Sequence, residues 1–112
     1  MKANELRIGN LVLSQWENNK IHKVRGQDIF DLEQGIDSNS FQPIPLTEEW
    51  LLKFGFNKGK FNYKWQYGNF IYDQKLKLWV WFGVQIHDYL IENVHQLQNL
   101  YFALTAQELT IK

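Results

Sequence analysis

Hydrophobic positions along the chain switch between two periods. Through "FNYKWQYGNFIYD" (Phe61 to Asp73) aromatics fall at alternate positions on either side of a Gly-Asn pair, the alternation of a strand with one face turned inward. That pair, in "YGNF", marks a two-residue hairpin turn in which Gly68 supplies the positive φ. Tyr67 then opposes Phe70 and Trp65 opposes Tyr72. Phe61, Tyr63, Trp65, Tyr67, Phe70 and Tyr72 therefore share a face. So much ring area left in water would be an unusually large patch, so this face is expected to line the interior. The next run, "LKLWVWFGV", is apolar on both sides, and the length of the preceding loop decides which side joins the rings. A three-residue loop over Asp73, Gln74 and Lys75 puts Leu76, Leu78, Val80 and Phe82 inside, with Lys64, Lys77, Trp79 and Trp81 on the reverse. A two-residue loop swaps the sets. The first is preferred because it buries aliphatics and leaves the lysines wet.

The helical period governs two other segments. In "PLTEEWLLKFGF", Thr47 is an N-cap, and Glu48 and Glu49 complement the positive helix start. Gly55 can take the left-handed conformation that ends such a helix, with Phe56 folding back towards Leu51. In "NVHQLQNLYFALT", Asn93 and Gln96 have capping-box spacing, and Val94, Leu97, Leu100, Tyr101 and Leu104 make an apolar stripe. "GNLVLSQ" and "KIHKVRG" read as strands around the turn "WENN", "DIFDLE" as a third strand, "GIDSNS" as a loop and "FQPIPL" as extended chain. "ELTIK" is expected to form a closing strand. Together these elements predict a single small α+β domain over residues 1–112: a twisted antiparallel sheet, two helices packed on it, and short N-terminal strands.

Composition narrows the chemistry. The chain has no cysteine, so thiolate metal sites and disulfides are excluded. Its longest apolar run, Leu78 to Val84, is too short to span a bilayer as a helix. No unbroken apolar region marks a signal peptide at the start. No membrane partner and a cytoplasmic location in a host cell are the expectations. Net charge is zero but unevenly spread. Six acids and no base lie between Asp28 and Glu49, whereas six lysines and one acid lie between Lys53 and Lys77. Such a split can orient a partner, and the acidic span can mimic nucleic-acid charge or lure a basic groove. Two solvated edges that happen to differ in sign are the preferred explanation.

Catalytic patterns are sparse. The glycines are isolated, so no phosphate-cradling loop is formed, and no Gly-x-Ser-x-Gly occurs. His22, His87 with Asp88, and the single Glu92…His95 pair lack the further ligands that a metal site needs. No catalytic residue, metal, cofactor or small-molecule substrate is therefore expected. Two binding surfaces are candidates. Lys58, Lys60, Lys64 and Lys77 with Trp79 and Trp81 could meet phosphates and stack bases of RNA or another single-stranded nucleic acid. Burial of the two tryptophans would remove that surface. His95, Asn99 and Phe102 place an aromatic among polar groups on the less apolar helix face, as in a protein-binding hot spot. A second packing layer over Phe102 would remove this one.

"ELRIGNLV", "IPLTEEWLLKFGF" and "VHQLQNLYFALTAQELTIK" resemble a group of small proteins found in Bacteroidota genomes and their phages. In that group a glycine often stands where this chain has Ala106. The resemblance implies an accessory protein of a phage or mobile element, often one that antagonises host defence. On that basis the chain is expected to be a non-enzymatic interaction protein. Its partner would be a host protein or ribonucleoprotein, such as an RNA-guided CRISPR nuclease that it inhibits. The alternative is a single-stranded nucleic-acid-binding module using the Lys/Trp sheet face.

Overall fold

Val12 and Ser14 turn inward while Leu11 and Leu13 are half-buried, a two-residue period that makes β1 (Leu11–Ser14). Asn18 and Asn19 reverse the chain at φ +56° and +60°, in the left-handed region that Asn tolerates better than most residues. They lead into β2 (Lys20–Lys23). With β3 (Phe41–Gln42) these strands form an antiparallel sheet in the order β2-β1-β3, Val12 opposite His22 and Ser14 opposite Phe41. The computed structural model describes residues 1–36, 40–59, 63–86 and 91–112. Half of the loop expected in "GIDSNS" lies outside them, as do Lys60, Phe61, His87 and Asp88.

The expected third strand, "DIFDLE", is instead part of a helix, α1 (Gly26–Glu33). The reason is polar. Asp28 accepts the Arg25 backbone N–H at 2.8 Å, tying the first turn closed. The side chains it buries, Asp28 and Leu32, are four apart, which is helical spacing, and Phe30 is left in solvent. Leu32 joins Leu6, Val12, Val24 and Phe41 in a small core.

The chain divides into two compact units: Met1–Leu46 with Ile91–Leu109, and Thr47–Leu90 with Thr110–Lys112. The first contains α3 (Val94–Thr105), whose start closes when Gln96 Oε1 accepts the Asn93 N–H at 2.9 Å. The stripe is buried from Val94 to Tyr101. So is Gln98, whose Oε1 accepts the Leu11 N–H at 2.8 Å and whose amide nitrogen donates to the Leu109 carbonyl at 3.3 Å. Ala106 ends α3 at φ +58°, a left-handed turn without glycine. The closing strand expected in "ELTIK" does not form. Its backbone makes isolated bonds rather than a ladder; the Lys112 N–H donates to the Lys53 carbonyl at 2.8 Å.

In the second unit, α2 (Glu48–Lys53) follows its sequence signals. Thr47 Oγ1 accepts the Trp50 N–H at 3.4 Å. Gly55, at φ +94°, and Phe56 return their N–H groups to the carbonyls of Leu52 and Leu51, the pair of bonds that defines a Schellman end. A meander follows: β4 (Asn57–Lys58), β5 (Lys64–Tyr67), β6 (Phe70–Asp73), β7 (Leu78–Trp81) and β8 (Val84–Ile86), antiparallel and paired in that order. The Gly68 turn, at φ +59°, sets Tyr67 opposite Phe70 and Trp65 opposite Tyr72 as expected. Trp65 and Phe70 are at most 1% exposed and Tyr63, Tyr67 and Tyr72 half-buried, so these five of the six expected rings turn inward to different depths.

The β6–β7 connection corrects the expected sidedness of β7. Asp73 Oδ1 accepts the N–H groups of Lys75 and Leu76 at 3.0 and 3.1 Å, and Lys77 turns left-handed at φ +54°. The loop is thus four residues long, with Asp73 opposite Leu78, Tyr72 opposite Trp79 and Phe70 opposite Trp81. An even loop gives the swapped parity. Trp79 and Trp81 join the rings; Leu78 and Val80 share the reverse with Lys64. Leu76 and Phe82, expected inside, are exposed in turns. Both sheets are antiparallel, with α1 between strands of the first, α2 between the two sheets in sequence and α3 after the second, an α+β fold. No helix among the described residues is long and apolar enough to cross a membrane.

Candidate functional site

The turn after β1, the start of α1 and the approach to β3 enclose a cavity of about 300 Å³ in the first unit, lined by Trp16, Glu17, His22, Arg25, Asp28, Asp31 and Phe41 among others. His22 alternates out of β2 and stacks on Phe41, ring centroids 5.2 Å apart and planes within 17°. Its two nitrogens face carboxylates: Nε2 is 2.9 Å from Asp28 Oδ2 and Nδ1 is 3.2 Å from Glu17 Oε1. Asp28 also receives the Arg25 guanidinium, at 3.1 Å on Oδ1 and 3.3 Å on Oδ2. Burial by itself would raise the Asp28 carboxyl, but the hydrogen bonds from Arg25 and His22 outweigh it and hold the group at about 2.

This arrangement limits the chemistry. A histidine with a carboxylate on each nitrogen has none left to take a proton from a hydroxyl, so Ser14 and Ser40, which also line the cavity, gain no base from it. Because the two acids lie at opposite ring nitrogens, they do not converge on one point. Among the described residues no group of three His, Asp or Glu is placed to hold a metal ion. The cavity instead offers an aromatic wall. Trp16 donates its indole N–H to Ser40 Oγ at 2.6 Å, yet is 73% exposed, so the ring is held by one edge while its body stays open to solvent.

The helix-face candidate is corrected. His95 is buried, with Nδ1 lacking a hydrogen-bond partner among the described residues, and that burial lowers its pKa. Asn99 is spent on the N-terminal segment: its oxygen accepts from Asn10 at 2.8 Å and its nitrogen donates to the Glu5 carbonyl at 3.2 Å. Phe102 lies under the Arg7 guanidinium, 4.0 Å from its ring centroid, and Arg7 in turn pairs with Glu108. His95 is thus interior and Asn99 is taken up by the N-terminal segment, while Phe102 stays 37% exposed beneath Arg7, so the three do not form one open face.

The nucleic-acid candidates are separated. Trp79 is 3% exposed and Trp81 half-buried on the ring face, while Lys64 belongs to the reverse and Lys77 to the loop. Lys58 sits 5.3 Å above the buried Trp65 ring, and Lys60 lies outside the described residues. The Lys/Trp stacking surface is therefore not assembled. Sequence reasoning missed Trp16, Glu17, Arg25 and Asp31 because they read as turn, edge and strand residues. The one local signal was a tryptophan inside the turn "WENN", where no core position calls for one. No family model matches the chain, and comparisons with curated proteins and with solved structures find no match.

Proposed function

We propose that the protein acts by binding a partner protein, not by catalysis, and that the rim of the Trp16 cavity is its contact surface. The observation that carries this is Trp16 itself: an indole pinned at its N–H and otherwise open beside Glu17 and Asp31. Large rigid aromatics ringed by polar groups are the usual anchors of protein interfaces. In the setting that the resemblance implies, the partner is a host protein or ribonucleoprotein of a defence system, such as an RNA-guided nuclease. The basic nucleic-acid path of such a complex is complementary in charge to this acid-lined cavity, and occupying it would inhibit the complex.

The test is capture from a Bacteroidota lysate by the tagged chain, with and without nuclease, comparing wild type with Trp16→Ala. The expected result is a stoichiometric protein that survives nuclease and is lost with the variant. Capture that disappears with nuclease would favour the single-stranded nucleic-acid reading. Equal capture by Trp16→Ala would remove the cavity from the interface.

A further inference from the structure

Of the three acids along the cavity, Asp28 is spent: its two oxygens are taken by Arg25 and His22. Glu17 and Asp31 are not. Glu17 Oε1 faces His22, and Asp31 Oδ1 accepts the Gln27 amide at 2.8 Å; among the described residues, the second oxygen of each has no hydrogen-bond partner. Arg25 directs its hydrogen bonds onto Asp28 and reaches Glu17 and Asp31 through its charge alone. The cavity thus presents acceptor oxygens beside an open indole face.

Each ligand class fares differently there. An anion would meet Glu17 and Asp31 with like charge. A neutral apolar group would strip water from both carboxylates without replacing it. An ammonium fits the charge, but it is compact and strongly hydrated. A guanidinium is planar, stacks on indole, and carries N–H groups around its edge for carboxylates. The chain already builds this combination once, where Arg7 lies over Phe102 and pairs with Glu108. A volume of about 300 Å³ is at the small end for ligand pockets, the scale of a side chain rather than a large cofactor.

We propose that the cavity is a guanidinium site that receives an arginine side chain of the partner protein, its plane against Trp16 and its N–H groups on Asp31 and Glu17. This rests on the reading that the cavity is the contact surface, and it names what enters it.

The test follows the indole N–H signal of Trp16 in the ¹H–¹⁵N spectrum of the full chain, assigned by its loss in Trp16→Phe. Three probes are titrated: N-acetylarginine amide, N-acetyllysine amide, and the uncharged isostere N-acetylcitrulline amide. The expected result is a saturable shift with the arginine probe, with a dissociation constant on the order of millimolar. Weaker binding of the lysine probe and no saturation with citrulline are expected alongside it. Asp31→Asn and Glu17→Gln should each weaken the arginine probe about threefold or more. The proposal is overturned by no saturable shift, by citrulline or lysine binding as well as arginine, or by affinity indifferent to both acid variants. Failure here with Trp16-dependent capture intact would leave the binding function standing. Arginine binding with capture indifferent to Trp16 would do the opposite, keeping the guanidinium site while removing the cavity from the partner interface.

Discussion

In the five-stranded sheet Trp79 lies 4.5 Å from the Tyr72 ring and 5.0 Å from Phe70, stacked on both. In the first unit Trp16 hangs on one N–H bond with most of its ring in water. The contrast extends to their surroundings. Strand sidedness around Trp79 is enforced by ring area that must be hidden, and a one-residue slip would expose it all. The position of Trp16 depends instead on a hydrogen bond to Ser40, beside the polar cluster of His22, Asp28 and Arg25. Apolar area holds one region; hydrogen bonds shape the other and leave a surface free for use.

The strongest way to break this contrast is Trp79→Ala, which should cost about 3–5 kcal/mol in denaturant unfolding. A much smaller loss would mean that the ring face is not what organises the meander. Next comes Asp28→Asn, expected to cost about 2 kcal/mol at pH 7. The sign follows from its depressed value. The stability contributed by Asp28 is fully present above the ordinary carboxylate value of 3.8 and is lost as pH falls through about 2. The variant should therefore flatten the acid limb of a stability–pH curve between those values. His95 acts higher up. Burial lowers its pKa from 6.5, so the unfolded chain takes the proton first and stability falls as pH drops below that value. His95→Leu should remove that upper component and leave the lower one.

A smaller change, of opposite sign, is expected at the end of α3. Ala106→Gly relieves the left-handed turn and should add about 0.5–1 kcal/mol, read as a raised Tm. Smallest of all is Trp16→Ala, which should shift stability by no more than about 0.5 kcal/mol while abolishing partner capture. A large loss of stability there would erase the distinction between the two tryptophans.

Features whose determinants are close in sequence were legible beforehand. Thr47, Gly55 and Phe56 sit within one helical turn of the bonds they make, and Gly68 fixes the β5–β6 register by itself. The β6–β7 parity was not legible, because the Asp73 carboxylate and the left-handed Lys77 lengthen the turn by one residue, which periodicity does not record. α1 was hidden for a related reason: one of its two buried positions is a charged aspartate, which a hydrophobic count scores as surface. The cavity joins segments as far apart as Ser14 and Phe41, so no local pattern announced it. His95, Asn99 and Phe102 were identified as one face, but His95 is buried, and Asn99 and Phe102 meet an N-terminal segment some ninety residues away.

Gln98 has a consequence for how the protein is made. Its amide joins Leu11, 87 residues upstream, to Leu109 near the end of the chain. On the ribosome, β1 emerges long before the side chain that accepts its Leu11 N–H, and the loop between them must close entropically before the bond forms. The β5–β6 hairpin faces no such wait, since its partners are neighbours. Vectorial synthesis therefore lets local hairpins form as they emerge and leaves the joining of β1 to α3 until later.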